Sequence, residues 1–355
     1  MNHSGLRAAV EPVGFDVSRL EAHLRAQIAD FGGPLQVRRF DGGQSNPTFK
    51  LTTPKRSYAM RCKPAPAAEL LPSAHAIERE FRLQTALAAS DVPVARMHYL
   101  CEDEAAFGCA FYVMEFVAGR IFWQPALPGL SSNERGAIYD EMNRVIAALH
   151  RVDYAALGLA DYGKPGNYFA RQIDRWSRQY RASETEEIEA MDRLMDWLPA
   201  NIPPEQEPPT AIVHGDFRID NLIFHPSEPR VLAVIDWELS TLGHPVADFA
   251  YHVLNWHIPP DQFRGIAGLD IAALGIPAEA EYWNAYLGRT GLGIAGNRSF
   301  YLAYNLFRVA GILQGIAKRV QQGTASNRRG ASAGRSARPM ADLAWQFALR
   351  AEGGS

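Results

Sequence analysis

The spacing of apolar residues divides the chain into a strand-rich first third and a helical remainder. Alternating or continuous apolar runs predict strands at residues 35–40, 48–53, 58–62 and 111–116. Helical periodicity predicts helices at residues 17–28, 74–89, 137–150, 168–180, 185–198, 301–320 and 340–350. Two short apolar runs within the helical part, 211–213 and 231–235, are typical of buried strands. Residues 321–339 contain few large apolar side chains, which predicts a loop.

Composition limits the class of protein. The 355 residues are 47% hydrophobic and carry a net charge of −3, which indicates a folded protein with no nucleic-acid or membrane partner. Cys62, Cys101 and Cys109 form no C-x-x-C pair, so we expect neither a disulfide framework nor a thiolate zinc site. Residues 1–20 do not have the pattern of a signal peptide, and no apolar run is long enough to span a membrane. We therefore expect a cytoplasmic protein.

The strongest chemical signal is the sequence HGDFRIDN at residues 214–221, followed by DWE at 236–238. Asp216 follows one predicted strand, Asn221 comes five residues later, and Asp236 follows the next strand. One carboxylate can accept a proton from a hydroxyl nucleophile, while amide and carboxylate oxygens are ligands that Mg²⁺ prefers. This spacing is typical of phosphoryl-transfer enzymes of the kinase type.

These motifs resemble the aminoglycoside phosphotransferase family, the small-molecule branch of the protein-kinase-like fold, from about residue 36 to residue 251. The resemblance implies that Asp216 is the catalytic base and that Asn221 and Asp236 are the Mg²⁺ ligands. His214 would support the catalytic loop, and Asp248 would cap or orient it. A narrower resemblance is to the phosphotransferase-like module fused to acyl-CoA dehydrogenases and to its stand-alone bacterial relatives, which suggests a hydroxyacyl thioester as the acceptor.

The family resemblance also implies an α+β fold of two lobes. We expect a flexible segment at 1–14, then an N-lobe at 15–117 with an antiparallel sheet, one main helix and the nucleotide site. The C-lobe, 118–355, would be mainly helical and would carry the catalytic loop, the metal site and the substrate site.

The residues expected to contact the nucleotide lie in a glycine-rich turn and on the elements after it: Gly42, Gly43, Gln44, Ser45, Asn46, Arg61, Lys63, Glu80 and Glu115. Kinases carry a lysine on the third strand, but here Arg61 aligns best, with Lys63 as the rival for the inner phosphates. Glu80 would pair with that cation, and Glu115 lies in the segment that resembles the adenine-binding hinge. Arg218 either stabilises charge on the transferring phosphoryl group or is a surface arginine.

The short spacing between Asp236 and Asp248 leaves no room for the activation loop of protein kinases, which predicts a small acceptor. The predicted function is transfer of the γ-phosphoryl group of ATP, with Mg²⁺, to a hydroxyl group of a small molecule. Two alternatives remain: a nucleotide-binding module without catalysis, and an antibiotic-modifying kinase. The second alternative is supported by the acidic run Glu184, Glu186, Glu187 and Glu189. The sequence leaves the oligomeric state open.

Overall fold

The computed structural model describes residues 15–40, 46–63, 76–164, 166–204, 209–323 and 334–353. The strands in these ranges are β1 (Gln36–Arg39), β2 (Thr48–Thr52), β3 (Ser57–Cys62), β4 (Met97–Cys101), β5 (Phe111–Glu115), β6 (Ala211–Val213), β7 (Leu222–Phe224), β8 (Val231–Val234) and β9 (Thr241–Gly243). The helices are α1 (Val17–Gln27), α2 (Ile77–Leu87), α3 (Glu104–Phe107), α4 (Ser132–His150), α5 (Tyr168–Ser183), α6 (Glu189–Ala200), α7 (Pro245–Val253), α8 (Pro260–Phe263), α9 (Ile271–Leu274), α10 (Glu279–Thr290), α11 (Arg298–Gln321) and α12 (Ala337–Glu352). No helix in these ranges combines the length and the hydropathy needed to cross a membrane.

The first compact unit comprises Met1–Ile121, Tyr154–Tyr162 and Asn221–Leu239. Its antiparallel sheet has the strand order β1-β2-β3-β5-β4. Buried and half-buried positions alternate along β2, because one face of this strand packs on the apolar core of the unit. That core includes Leu24 of α1, Leu51 of β2 and Val113 of β5. The central strand β3 is paired on both sides, with β2 and with β5, which fixes the positions of its side chains.

A hairpin of β7 and β8 belongs to the same unit, although it comes about 100 residues later in the chain than the five-stranded sheet. The backbone N–H of Arg120 donates to the carbonyl of Phe224 over 2.8 Å, and its guanidinium donates to the carbonyl of His225. Gly119 makes this approach possible, because a Cβ atom there would collide with the Phe224 carbonyl. The backbone N–H of Val234 donates to the carbonyl of Pro93, so β8 is fixed from a second side.

The second unit comprises Phe122–Asp153, Gly163–Asp220 and Ser240–Ser355, and is mainly helical. Its centre is α11, which is buried from Phe300 to Gly311 and packs against α5, α7 and α12. A short antiparallel sheet of β6 and β9 lies beside these helices. Stacked aromatic rings, such as Phe249 on Tyr286 at 3.8 Å between ring centroids, connect α7 to α10.

The structure confirms the predicted α+β fold class, and the predicted strands and long helices are present with shifts of a few residues at their ends. The prediction of a loop at 321–339 is wrong at its C-terminal end, because α12 begins at Ala337; residues 324–333 lie outside the described residues. The predicted lobes, 15–117 and 118–355, are continuous segments, whereas the two units are interleaved along the chain.

Candidate active site

Three carboxylates surround one arginine in the first unit. Arg61 lies near the end of β3, and its side chain is 13% exposed. Its Nε is 3.2 Å from Oε2 of Glu80, and its Nη2 is 3.0 Å from Oδ1 of Asp236 and 3.1 Å from Oε2 of Glu238. We call Arg61, Glu80, Asp236 and Glu238 the Arg61 cluster. One positive charge and three negative charges leave this cluster with an excess of two negative charges.

Glu80 is the buried member of the Arg61 cluster. Its side chain on α2 accepts hydrogen bonds from the hydroxyl of Tyr112 at 3.0 Å and from the amide of Asn46 at 3.2 Å. Burial raises the pKa of Glu80, although Arg61 acts in the opposite direction. The pairing of Glu80 with the β3 cation is the pairing that the sequence predicted, and Glu238 is a partner that it did not predict.

The β7–β8 hairpin brings the two predicted metal ligands to neighbouring positions. The backbone N–H of Ile235 donates to the carbonyl of Asn221 over 2.9 Å, so that Asn221 lies opposite the residue that precedes Asp236. Asp236 has a left-handed backbone conformation, with φ of 68°, a conformation that aspartate adopts more readily than most residues. Its side chain keeps 36% of its surface exposed.

These residues fit Mg²⁺. An amide oxygen and a carboxylate are hard donors, and the Arg61 cluster has an excess of two negative charges that one divalent cation would neutralise. Among the described residues, no group of three or more His, Cys, Asp or Glu side chains is arranged to hold a metal ion. A metal ion bound here would therefore need further ligands from a phosphate group or from water.

The other predicted nucleotide-binding residues lie outside the Arg61 cluster, or outside the described residues. Lys63 pairs with Glu104 at 3.0 Å, and both side chains are largely exposed. Glu115 is exposed at the end of β5, where its backbone N–H donates to the carbonyl of Arg96. The turn residues Gly42, Gly43, Gln44 and Ser45 lie outside the described residues, whereas Asn46 is described and buried.

In the second unit, Asp216 follows β6 and is held by two side chains. The hydroxyl of Tyr251 on α7 donates to its Oδ1 over 2.5 Å. Arg218 forms an ion pair with the same carboxylate, with Nε at 3.0 Å from Oδ1. Burial and the charge of Asp216 raise the pKa of Tyr251, so the phenol stays protonated and acts as the donor. Arg218 is therefore engaged with the predicted base, not projecting freely from the surface.

Asp248 holds the backbone of the loop that the sequence predicts to be catalytic. Its carboxylate accepts hydrogen bonds from the backbone N–H groups of His214 and Gly215, both at 2.8 Å. The ring of His150 lies at 3.1 Å from the same carboxylate. Burial alone would raise the pKa of Asp248, but the hydrogen bond and charge of His150, together with His214, lower it. The carboxylate thus remains ionised within the protein and positions the residues that precede Asp216.

Sequence reasoning missed Tyr251 as a partner of Asp216, and it missed Arg308 altogether. Arg308 lies on α11 and donates through Nη2 to the carbonyl of Gly215. Its guanidinium carbon is 5.1 Å from the centre of the Tyr251 ring. One signal was available in the sequence, since Arg308 is the only charged residue among residues 300–313 of a strongly apolar helix.

Comparison with known proteins adds the following relatives. The sequence matches the model of the phosphotransferase enzyme family (APH) over residues 36–289. It is 47% identical over 334 residues to mouse acyl-CoA dehydrogenase family member 10, covering 93% of this chain and 31% of that protein. It is 38% identical over 341 residues to human acyl-CoA dehydrogenase family member 11, covering 95% of this chain and 43% of that protein. The chain thus spans less than half the length of these curated relatives.

Solved structures are similar over nearly the whole chain. A protein from Ralstonia eutropha JMP134, provisionally named an aminoglycoside phosphotransferase, is 62% identical with a TM-score of 0.87, covering 95% of this chain and 99% of its own. The aminoglycoside phosphotransferase APH(4)-Ia, in a ternary complex with ADP and hygromycin B, is 14% identical with a TM-score of 0.59, covering 92% and 98%. Plasmodium vivax ethanolamine kinase is 14% identical with a TM-score of 0.53, covering 87% and 81%. The two distant likenesses show the fold alone.

Proposed function

Because this chain belongs to the phosphotransferase enzyme family, we propose that it transfers the γ-phosphoryl group of ATP to a hydroxyl group of a small molecule in a Mg²⁺-dependent reaction. The observation that carries the proposal is the Arg61 cluster, in which a largely buried arginine on β3 meets Glu80 of α2 and Asp236. A cation on this strand paired with an acid on the following helix is the arrangement that kinase-type enzymes use to hold nucleotide phosphates.

In this proposal Arg61, not Lys63, contacts the inner phosphates. Arg61 is largely buried and directed at Asp236, whereas Lys63 is 42% exposed and paired with Glu104. A guanidinium can bind phosphate oxygens through two parallel hydrogen bonds, so it can replace the usual lysine. Mg²⁺, when bound, would be held by Asn221 and Asp236 and would neutralise charge on the phosphate oxygens.

Asp216 acts as the base in the proposed reaction. The hydroxyl oxygen of the acceptor forms a bond to the γ-phosphorus, the bond from that phosphorus to the bridging oxygen of ADP breaks, and the hydroxyl proton passes to the Asp216 carboxylate. Tyr251 and Arg218 hold this carboxylate from two directions, which fixes the direction in which it can accept the proton. ADP and a phosphate monoester are the products.

A small acceptor is supported by the chain that follows Asp236. Eight residues, 237–244, separate Asp236 from the start of α7 at Pro245, and they include the short turn at Trp237–Leu239 and β9. Protein kinases use a long segment at this position to dock protein substrates. The first acceptors to test are hydroxyacyl thioesters, since the curated relatives are named as acyl-CoA dehydrogenases.

An antibiotic-modifying kinase has less support. The acidic run that favoured this alternative is largely neutralised by arginines at the surface: Glu184 pairs with Arg181, Glu186 with Arg338 and Glu189 with Arg193. A site for polycationic drugs needs acidic side chains that are not already matched. A non-catalytic nucleotide-binding module also has less support, because Asp216, Asn221 and Asp236 are all present.

The test is ADP formation with Mg·ATP and a panel of hydroxylated compounds that contains a hydroxyacyl-CoA, a sugar, choline and an aminoglycoside. We expect one acceptor class to stimulate ADP formation and to yield a phosphorylated product detectable by mass spectrometry. Asp216→Asn should lower turnover by about 10²- to 10⁴-fold while Mg·ADP binding is retained. Asp174→Asn, which changes an exposed aspartate on α5, is the control. Wild-type turnover by Asp216→Asn would contradict the proposal.

A further inference from the structure

Two arginines of the second unit lie beside the Trp176 ring, and one of them contacts the residue before Asp216. Arg308 on α11 is 6% exposed and donates to the carbonyl of Gly215, the residue before Asp216. The Tyr251 ring below its guanidinium is the same ring whose hydroxyl donates to Asp216. Arg175 on α5 is partly buried, and α5 packs against α11. The guanidinium carbons of Arg175 and Arg308 lie 5.6 Å and 5.4 Å from the centre of the same Trp176 ring, and burial and repulsion from Arg308 lower the pKa of Arg175.

These arginines have no carboxylate of their own. Within the described part of the chain, neither Arg175 nor Arg308 has a carboxylate oxygen within the 4.0 Å of an ion pair. Asp216 directly follows Gly215, whose carbonyl Arg308 contacts, and its carboxylate already forms an ion pair with Arg218. The local positive charge around Asp216 is therefore in excess.

The remaining acids nearby do not cancel this excess. Asp220 is paired with Arg264 and lies at 3.6 Å from Arg218. Asp248 is bound to two backbone N–H groups and to His150. Counted together, the positive charges of Arg175, Arg218, Arg264 and Arg308 exceed the two negative charges of Asp216 and Asp220.

Beside these arginines, hydrogen-bond donors also exceed the acceptors available to them. Trp176, next to Arg175, is 4% exposed, and its indole Nε1–H has no acceptor among the described residues. The guanidinium of Arg308 lies 5.4 Å from the centre of the same indole ring. Buried donors and buried positive charge are costly unless an acceptor with negative charge meets them.

We propose that Arg175 and Arg308 bind an anionic group of the acceptor, a carboxylate or a phosphate, so that the substrate of this enzyme is a hydroxylated anion. The inference rests on the proposed function, because it assumes that the acceptor hydroxyl is presented to Asp216. Binding the anionic group at these arginines would orient the hydroxyl toward the base, and polycationic acceptors would be repelled from the same place.

The test uses two matched pairs of alcohols that differ in charge: glycerol 3-phosphate against glycerol, and 3-hydroxybutanoate against 3-hydroxybutanamide. Binding is measured by calorimetry and by thermal shift without nucleotide, and phosphorylation is measured with Mg·ATP. The variants are Arg175→Gln and Arg175→Lys, which change a partly exposed side chain and should preserve the fold. Arg178→Gln, an exposed arginine one turn further along α5, is the matched control.

We expect the anion of at least one pair to bind the wild type more tightly than its neutral partner. Arg175→Gln should weaken that binding by about 10- to 100-fold, Arg175→Lys should restore part of it, and Arg178→Gln should leave it unchanged. A preference for the anion in the glycerol 3-phosphate pair would indicate a phosphate group, and a preference in the 3-hydroxybutanoate pair would indicate a carboxylate. Because binding is measured without nucleotide, this result stands even if no product forms, an outcome that would count against the proposed function alone.

Two outcomes would overturn the inference. In the first, the wild type shows no preference for the anion in either pair. In the second, Arg175→Gln raises the KM for Mg·ATP and leaves acceptor binding unchanged, which would mean that these arginines contact the nucleotide phosphates.

Discussion

The hydroxyl of Tyr251 lies 2.5 Å from Oδ1 of Asp216, which makes a residue of α7 a direct hydrogen-bond partner of the proposed base. Three residues earlier on the same helix, Asp248 holds the backbone of His214 and Gly215. One helix therefore fixes both the main chain and the side chain at the end of β6. Because α7 is buried along its whole length, it gives the loop around the proposed base a firmly packed support.

Tyr251→Phe should lower kcat by about tenfold, because Asp216 then loses a short, charge-assisted hydrogen bond and points less uniformly at the acceptor. The ring remains and continues to pack under Arg308, so the melting temperature should change little. Steady-state kinetics with the best acceptor checks this, with the KM for Mg·ATP expected to stay constant. An unchanged kcat would show that the hydrogen bond has no part in the reaction.

Asp236→Asn should weaken the binding of Mg·ADP by at least about tenfold, since it removes a charged metal ligand. Calorimetry with excess EDTA should abolish the difference between the variant and the wild type, because the effect depends on the metal ion. Glu228→Gln, an exposed change in the turn of the same hairpin, is the matched control and should bind as the wild type does. Equal affinities of all three proteins for Mg·ADP would exclude Asp236 as a ligand.

Asp248→Ala should lower the free energy of unfolding by about 3 kcal/mol or more, because it leaves two buried backbone N–H groups and His150 without their acceptor. Urea denaturation followed by circular dichroism measures this loss. Asp174→Ala should stay within about 0.5 kcal/mol of the wild type, because that aspartate is exposed. A loss as small as that of the control would mean that water or other groups replace the carboxylate.

His252 predicts a pH dependence of stability. Burial lowers its pKa from 6.5 to about 4. Between these values the unfolded chain binds a proton that the folded chain excludes, so the contribution of His252 is present above pH 6.5 and is lost as the pH falls. The loss from this residue should reach about 2 kcal/mol at pH 5.

His252→Gln isolates that contribution. The difference in unfolding free energy between pH 7 and pH 5 should be smaller in His252→Gln than in the wild type by about 2 kcal/mol. His225→Gln changes a more exposed histidine and should keep the wild-type difference. If His252→Gln shows the same acid sensitivity as the wild type, other groups account for it.

The spacing of residues within a short segment was sufficient to predict the strands and the polar candidates that directly follow them. The strands before Asp216 and Asp236 are apolar and short, and the polar residues follow them directly, so these candidates were visible. The strands β7 and β9 have three residues each, too few for any periodicity. The contacts around Asp216 could not be read from spacing either, because Tyr251 reaches Asp216, and Arg308 reaches Gly215, only through the packing of α7 and α11. Charge balance around Arg61 likewise depends on Glu238, whose role becomes visible only when β8 ends beside β3.

The interleaving of the units affects how the protein must be made. The segment Asn221–Leu239 belongs to the first unit, although it comes later in the chain than a large part of the second unit. A ribosome therefore has to synthesise about two thirds of the chain before the first unit is complete. A fragment that ends at Ile121 would lack Asp236, and it would leave the backbone N–H of Arg120 and the carbonyl of Pro93 without their partners in β7 and β8. To express the first unit without the second would therefore require a circular permutation or a fusion that adds its later segments, because a simple truncation would omit them.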